Sequence, residues 1–217
     1  MKLDFVTVGN IYRESSYGTE GSKITDLKEK LTGDCLDIAV KGASSNAKTG
    51  ILASVGQDAY GITTLLKKHG VDYTGLILSN EKTGRIIHLD KKYVYNGANR
   101  LLRLNPSILQ KTRLIHVSDN LEIAGKLMKI DKCFLSTSLD TEADLLFSEE
   151  EGPGNRIVFG KNVKFGEMVF DVEIEKKDRT SFIAGFLAKY SKTQKFKSSI
   201  KSGISAVKAC KDKLEIP

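Results

Sequence analysis

Cysteine is scarce in this chain of 217 residues: Cys35, Cys133 and Cys210 are odd in number and far apart. That pattern argues against a disulfide framework and fits the reduced thiols of a cytoplasmic protein. Histidine is equally sparse. None of His69, His88 and His116 stands at metal-ligand spacing with a cysteine, so no metal site is expected and each reads as structural or surface. Long apolar runs are missing too, and nothing approaches the ~20 residues that a bilayer span requires. No membrane partner is expected. The opening residues form too short an apolar run for a secretory leader and carry Asp4 inside it; residues 3–8 read instead as a buried strand that ends at Gly9.

The length suits one substantial domain, burying about 70% of its unfolded surface. Hydrophobic residues at 40% and charged residues at 28% are ordinary for a globular protein. Lys and Arg number 34 against 27 Asp and Glu, a net charge of +7 whose field attracts an anionic substrate or a nucleic acid alike. Lysines crowd the last third. There Ile200, Ile204 and Val207 recur at helical spacing, which predicts the solvated face of an amphipathic helix rather than a nucleic-acid surface.

Residues 33–72 carry the clearest organisation. Gly33 turns the chain into a short apolar helix, with Asp34 placed to cap its free amides. Residues 49–55 are nearly all apolar, as in a strand covered on both faces. Gly56 and Gly61 flank Asp58 in a turn, Ile62, Leu65 and Leu66 then recur at helical spacing, and Gly70 stops that helix. Leu76, Ile77 and Leu78 supply the next strand. Helix, strand, helix, strand at this spacing predicts parallel strands joined by crossovers, hence an α/β sheet. Further along, two short strands are expected within 83–97, a strand at 114–118 and a helix at 121–130. Strands follow at 132–136 and 143–147, then a hairpin made by 156–160 and 169–172, and a helix from Phe182.

The 56–61 turn, the Gly70-Val71-Asp72 exit, Thr83-Gly84 and Gly97-Ala98-Asn99, in that order within residues 3–118, resemble the N-terminal two thirds of the ribokinase-like (PfkB) sugar and nucleoside kinases. The resemblance implies a single α/β domain over residues 1–217, a three-layer α/β/α fold with a mostly parallel sheet and a small β lid. Lid strands would lie within about 10–32 and 83–97. In this family the lid often doubles as a dimer clasp, so a homodimer through it is implied. The activity implied is phosphoryl transfer from ATP, with Mg2+, to a hydroxyl of a small hydroxylated molecule, a sugar or nucleoside.

Residue by residue the match is uneven. Glu14, five residues after Gly9, occupies the family's sugar-contacting carboxylate position, normally aspartate. The second substrate signature, a glycine pair followed by asparagine, is represented by Gly33 and Asp37. Aspartate only accepts hydrogen bonds and is charged, so Asp37 suits a neutral polyol and repels a phosphate. Near the phosphates, Ser148 stands in place of asparagine while Glu151 holds the glutamate position.

The family's Gly-Ala-Gly-Asp segment, which supplies both the general base and a phosphate cradle at a helix start, has no counterpart. Asp178, Arg179, Thr180 and Ser181 run directly into Phe182. No catalytic residue is assigned, and Arg179, Thr180 and Ser181 remain as an anion-binding helix start. Residues 136–217 leave little room for the elements that wall the nucleotide pocket in the family. The sequence therefore reads as a polyol-binding pseudoenzyme of carbohydrate-kinase descent. The competing readings are an active kinase with a surrogate base and a non-catalytic dimerisation or regulatory subunit.

Overall fold

The structure, a computed structural model, describes residues 2–20, 23–89, 91–130 and 133–212. In chain order, β1 (Phe5–Val8) precedes the long antiparallel strands β2 (Tyr12–Glu20) and β3 (Lys23–Thr32), then α1 (Asp34–Ser44). Next come β4 (Thr49–Gly56), α2 (Ile62–Lys68), β5 (Asp72–Ser79), β6 (Gly84–His88) and β7 (Lys92–Tyr95). After α3 (Pro106–Leu109), β8 (Leu114–Val117) and α4 (Leu121–Leu127) follow β9 (Phe134–Thr137), β10 (Leu145–Ser148) and β11 (Arg156–Val158). The short strands β12 (Val163–Phe165) and β13 (Met168–Phe170) lead to helices α5 (Arg179–Thr193) and α6 (Phe196–Asp212).

Nine strands form one sheet in the order β13-β12-β11-β10-β9-β8-β1-β4-β5, and β3-β2-β6-β7 form a second. From β5 across to β11 every pairing of the large sheet is parallel. Its central strands are buried on both faces, which is why they read as unbroken apolar runs. Strand alternation assigns the faces. Phe5 and Leu114 point into a cluster with Ile38 of α1, Phe182 of α5 and Ile200 of α6, whereas Val6, Val8, Ile115 and Val117 pack with Ile108 of α3 and Ile123 of α4. Helices thus cover both sides: the alternation of elements predicted the parallel α/β sheet, and the three-layer arrangement is the one the resemblance implied.

Local details differ from expectation in three places. Asp34 is not the cap of α1: Gly33 holds that position without a side-chain bond, and Asp34 and Asp37 instead place negative charge in the first turn. Helix α5 begins at Arg179, before the apolar run that marked it in the sequence. Residues 156–160 do not make a hairpin with 169–172. β11 joins β10 in parallel, and the hairpin is β12 with β13, turned at Gly166 with φ 55°.

The β10 side of the sheet has an unusual economy. Parallel neighbours ordinarily need a crossover of a dozen residues or more, usually a helix. Here residues 138–144 alone carry the chain from β9 to β10, and 149–155 from β10 to β11, with no helix among the described residues of either connection.

Candidate functional site

Ligands of open parallel sheets bind at the carboxyl ends of the strands. At that end β1 leaves through Gly9 and Asn10, and β8 through Ser118 and Asp119. Asp119 Oδ1 accepts the Asn10 backbone N–H at 2.8 Å. A Cβ on Gly9 would lie 2.5 Å from the same oxygen, so only glycine lets the two strand ends close. Burial, reinforced by nearby Asp34 and opposed by the Asn10 amide, pushes the Asp119 carboxyl up to about 6. Burial also raises the Tyr12 phenol, with Asp119 adding to the rise.

Asn99 completes this group. It is buried; its Oδ1 accepts the Ile11 N–H at 3.2 Å, and its Nδ2 makes no hydrogen bond of good geometry among the described residues, although, against the rise that burial causes, the Tyr12 phenol is held down slightly by Asn10 and by Asn99. Asn10 Oδ1 and Ser118 Oγ are unpartnered in the same way. Buried polar atoms left open at strand ends are what a hydroxylated ligand would satisfy.

The second sheet supplies the facing wall. Pairing sets Glu14 opposite Lys30 and beside Ile86, which puts His88 on the same face. Lys30 Nζ lies 2.9 Å from Glu14 Oε2 and His88 Nε2 2.8 Å from Oε1. The Lys30 hydrogen bond, aided by His88 and opposed by burial, holds the Glu14 carboxyl below its usual range. Asp37 stands in the first turn of α1. Burial raises its carboxyl, Lys41 opposes that, and the charges of Asp34, Lys30 and Glu14 also act on it. Gly33, at φ 145°, is fixed there by the Asn10 carbonyl, from which a Cβ would stand 2.2 Å away.

Three of the four remaining site residues of the sequence reading border a neighbouring cavity of 650 Å3 at the ends of β9 and β10 and the start of α5. Arg179, Thr180 and Glu151 line it; Ser181 does not. The Ser181 hydroxyl points to Cys210 of α6 at 3.6 Å and is buried in the α5–α6 contact. Arg179 is ion-paired with Glu149 and lies 5.3 Å over the Phe159 ring. Thr180 Oγ1 accepts from Lys41 Nζ at 2.6 Å, and Glu151 pairs with Lys164 at 2.8 Å. Asp34 lines this cavity as well as acting on Asp37 and Asp119, and so joins the two groups.

No protein-family model and no curated protein matches the sequence. Solved structures do. A crystal structure described as an uncharacterized sugar kinase from Pyrococcus horikoshii matches at TM-score 0.74 with 14% identity, covering 94% of this chain and 90% of that one. Ribokinase of Arabidopsis thaliana, described as complexed with ribose and ATP, matches at 0.74 with 14% identity over 95% and 92%. The fold is ribokinase-like. A nucleoside kinase of Methanocaldococcus jannaschii, described as an archaeal member of the ribokinase family, matches at 0.71 with 16% identity over 95% and 91%.

On this ribokinase-like frame, Asn10, Lys30, His88, Asn99 and Asp119 join the candidate site without having been nominated by sequence reasoning. Asp119 alone left a readable signal, a carboxylate two residues beyond an apolar strand. Lys30 and His88 enter only through strand register.

Proposed function

We propose that this chain binds a small hydroxylated molecule, a sugar or nucleoside, in the space between the second sheet and the ends of β1 and β8, and that it descends from carbohydrate kinases while having little or no kinase activity. The observation that carries the reading is the group of open buried polar atoms of Asn10, Asn99 and Ser118 beside Asp119 at the ends of β1 and β8, and the charge effects that link Glu14 to Asp37 and Asp34 to both Asp37 and Asp119 support it. Carboxylates accept from hydroxyls and repel phosphates, so a neutral polyol is the matching ligand class.

ATP and Mg2+ are implied by the resemblance, and the residues at α5 do not fit them. The first turn of α5 has no acid and no glycine, and its single cation, Arg179, is taken by Glu149. The adjoining cavity carries five acids, Asp34, Asp140, Glu149, Glu150 and Glu151, against three cations, Arg156, Lys176 and Arg179, an excess of negative charge that disfavours a triphosphate. The helix-free connections around β10 support the reading of residues 136–217 as a reduced nucleotide side.

A second reading has its own observation. Asp119, displaced toward neutral pH, is suited to take a proton from a bound hydroxyl, and would be the surrogate base of an active phosphotransferase. The half-exposed Val94 and Tyr95 of β7 support a second copy docking on the smaller sheet, and the three free thiols support a cytoplasmic setting.

Thermal shift against a panel of sugars and nucleosides, with an assay for phosphoryl transfer from ATP, tests both readings. Stabilisation by a polyol without turnover is the expected result. Turnover that Asp119→Asn removes would install the second reading, and no stabilisation by any polyol would overturn both.

A further inference from the structure

A second cavity, of 850 Å3, lies at the opposite end of the large sheet, beneath the amino ends of β1, β8 and β9. Lys2, Lys48, Arg113 and Lys192 line it against a single acid, Asp4. That acid is engaged: Asp4 Oδ2 accepts the Lys48 backbone N–H at 2.8 Å and lies 3.9 Å from Lys192 Nζ. Lys192 also donates to the Asn46 carbonyl at 3.0 Å, just past the end of α1, the usual work of a cation at a helix C-terminus. The other three have no such work. The side chains of Lys2, Lys48 and Arg113 make no hydrogen bond or ion pair with any described residue.

Three cations with no charge partner among the described residues, around one concavity whose single acid is already engaged, focus a positive potential. Part of the wall is aromatic: Phe134 and Tyr190 lie with ring centroids 5.0 Å apart. We propose that this cavity is a binding site for a phosphorylated small molecule. Lys2, Lys48 and Arg113 meet the phosphoryl oxygens, the guanidinium in the two-pronged manner that suits them, and the Phe134–Tyr190 wall receives the organic part. The site is independent of the polyol cleft, whose carboxylates reject the same ligands.

Calorimetric titration of the full chain with inorganic tripolyphosphate and with ADP, at low and physiological salt, tests this. Both bind, more weakly at high salt, and the double variant Lys48→Ala/Arg113→Ala loses at least tenfold in affinity for each while Arg179→Ala stays within twofold of wild type. Lys48 and Arg113 are exposed, so the variant keeps its fold; Lys2→Glu is a second, separate probe expected to weaken binding in the same direction. Absence of binding to the unaltered chain overturns the proposal, as does loss on Arg179→Ala in place of the double variant. Tighter binding of a short DNA duplex through the same residues would overturn it in favour of a nucleic-acid surface.

Discussion

The Asp58 carboxylate holds Thr83 twice: its Oδ1 accepts from the Thr83 backbone N–H and from the Thr83 hydroxyl, each at 2.7 Å. Thr83 Oγ1 in turn accepts the Gly56 N–H at 2.9 Å, and Asp58 Oδ2 faces Arg85 at 3.4 Å and Arg13 at 3.7 Å. One buried acid therefore fastens the turn after β4 to both inner strands of the second sheet. Burial alone would raise the Asp58 carboxyl, but the Thr83 and Arg85 bonds outweigh it and hold the group below its usual range. Asp58→Ala is expected to cost about 2–4 kcal/mol, since it leaves buried donors unmet. Urea unfolding at pH 7 reads the loss. Asp58→Asn keeps Oδ1 as an acceptor and should lose less.

Two buried groups give the stability profile opposing slopes in mild acid. Asp119, raised from 3.8 to about 6, binds more protons folded than unfolded, so its contribution is fully present below about 4 and is lost as pH rises through 6. His116, lowered by burial from 6.5 to about 3, binds fewer protons folded, so its contribution is lost as pH falls from 6.5 toward 3. Asp119→Asn should stabilise the protein by roughly 2 kcal/mol at pH 7.5, with the advantage gone near pH 4. His116→Phe should flatten the acid limb instead. Melting curves between pH 3 and 8 separate the two.

Glu14→Ala and Asp37→Ala should each weaken polyol binding at least tenfold, seen as loss of the ligand-induced thermal shift. The unliganded melting temperature should fall by no more than about 3 °C for Glu14→Ala, because both its partners, Lys30 and His88, are exposed and ion pairs open to solvent contribute under ~1 kcal/mol. Ser181→Ala, which faces away from both cavities, should leave binding unchanged.

Gly33→Ala should be far more damaging than its size suggests. The added carbon meets the Asn10 carbonyl at 2.2 Å, and the φ of 145° is a glycine conformation. A loss of roughly 2–4 kcal/mol is expected, together with loss of polyol binding, since Asn10 anchors Asp119. Denaturation and ligand titration on the same sample test both effects.

Layering was legible because β4 is buried at every position, so its apolar run had one reading, and because Gly70, at φ 69°, marks its turn by chemistry. The start of α5 was not, since Arg179 and Thr180 look like loop residues until Glu149 and Lys41 are seen to hold them. β12, only three residues with a lysine at its centre, offers no pattern that separates it from a loop. Of the candidate site, part was nominated from the sequence and part was not. Glu14, Gly33 and Asp37 stood at recognisable positions, but the occupation of both Glu14 oxygens depends on Lys30 and His88, whose approach is fixed by register across three strands.

Phe5 of the central strand shares its apolar cluster with Phe182 of α5 and with Ile200 and Val207 of α6. As the polypeptide leaves the ribosome, α1 can cover part of that flank of the central strand early, but the rest of the cluster stays bare until α5 and α6 emerge. Trigger-factor-like holdases should therefore remain attached to stalled translation intermediates that stop before Arg179, and release them once Asp212 has cleared the exit tunnel.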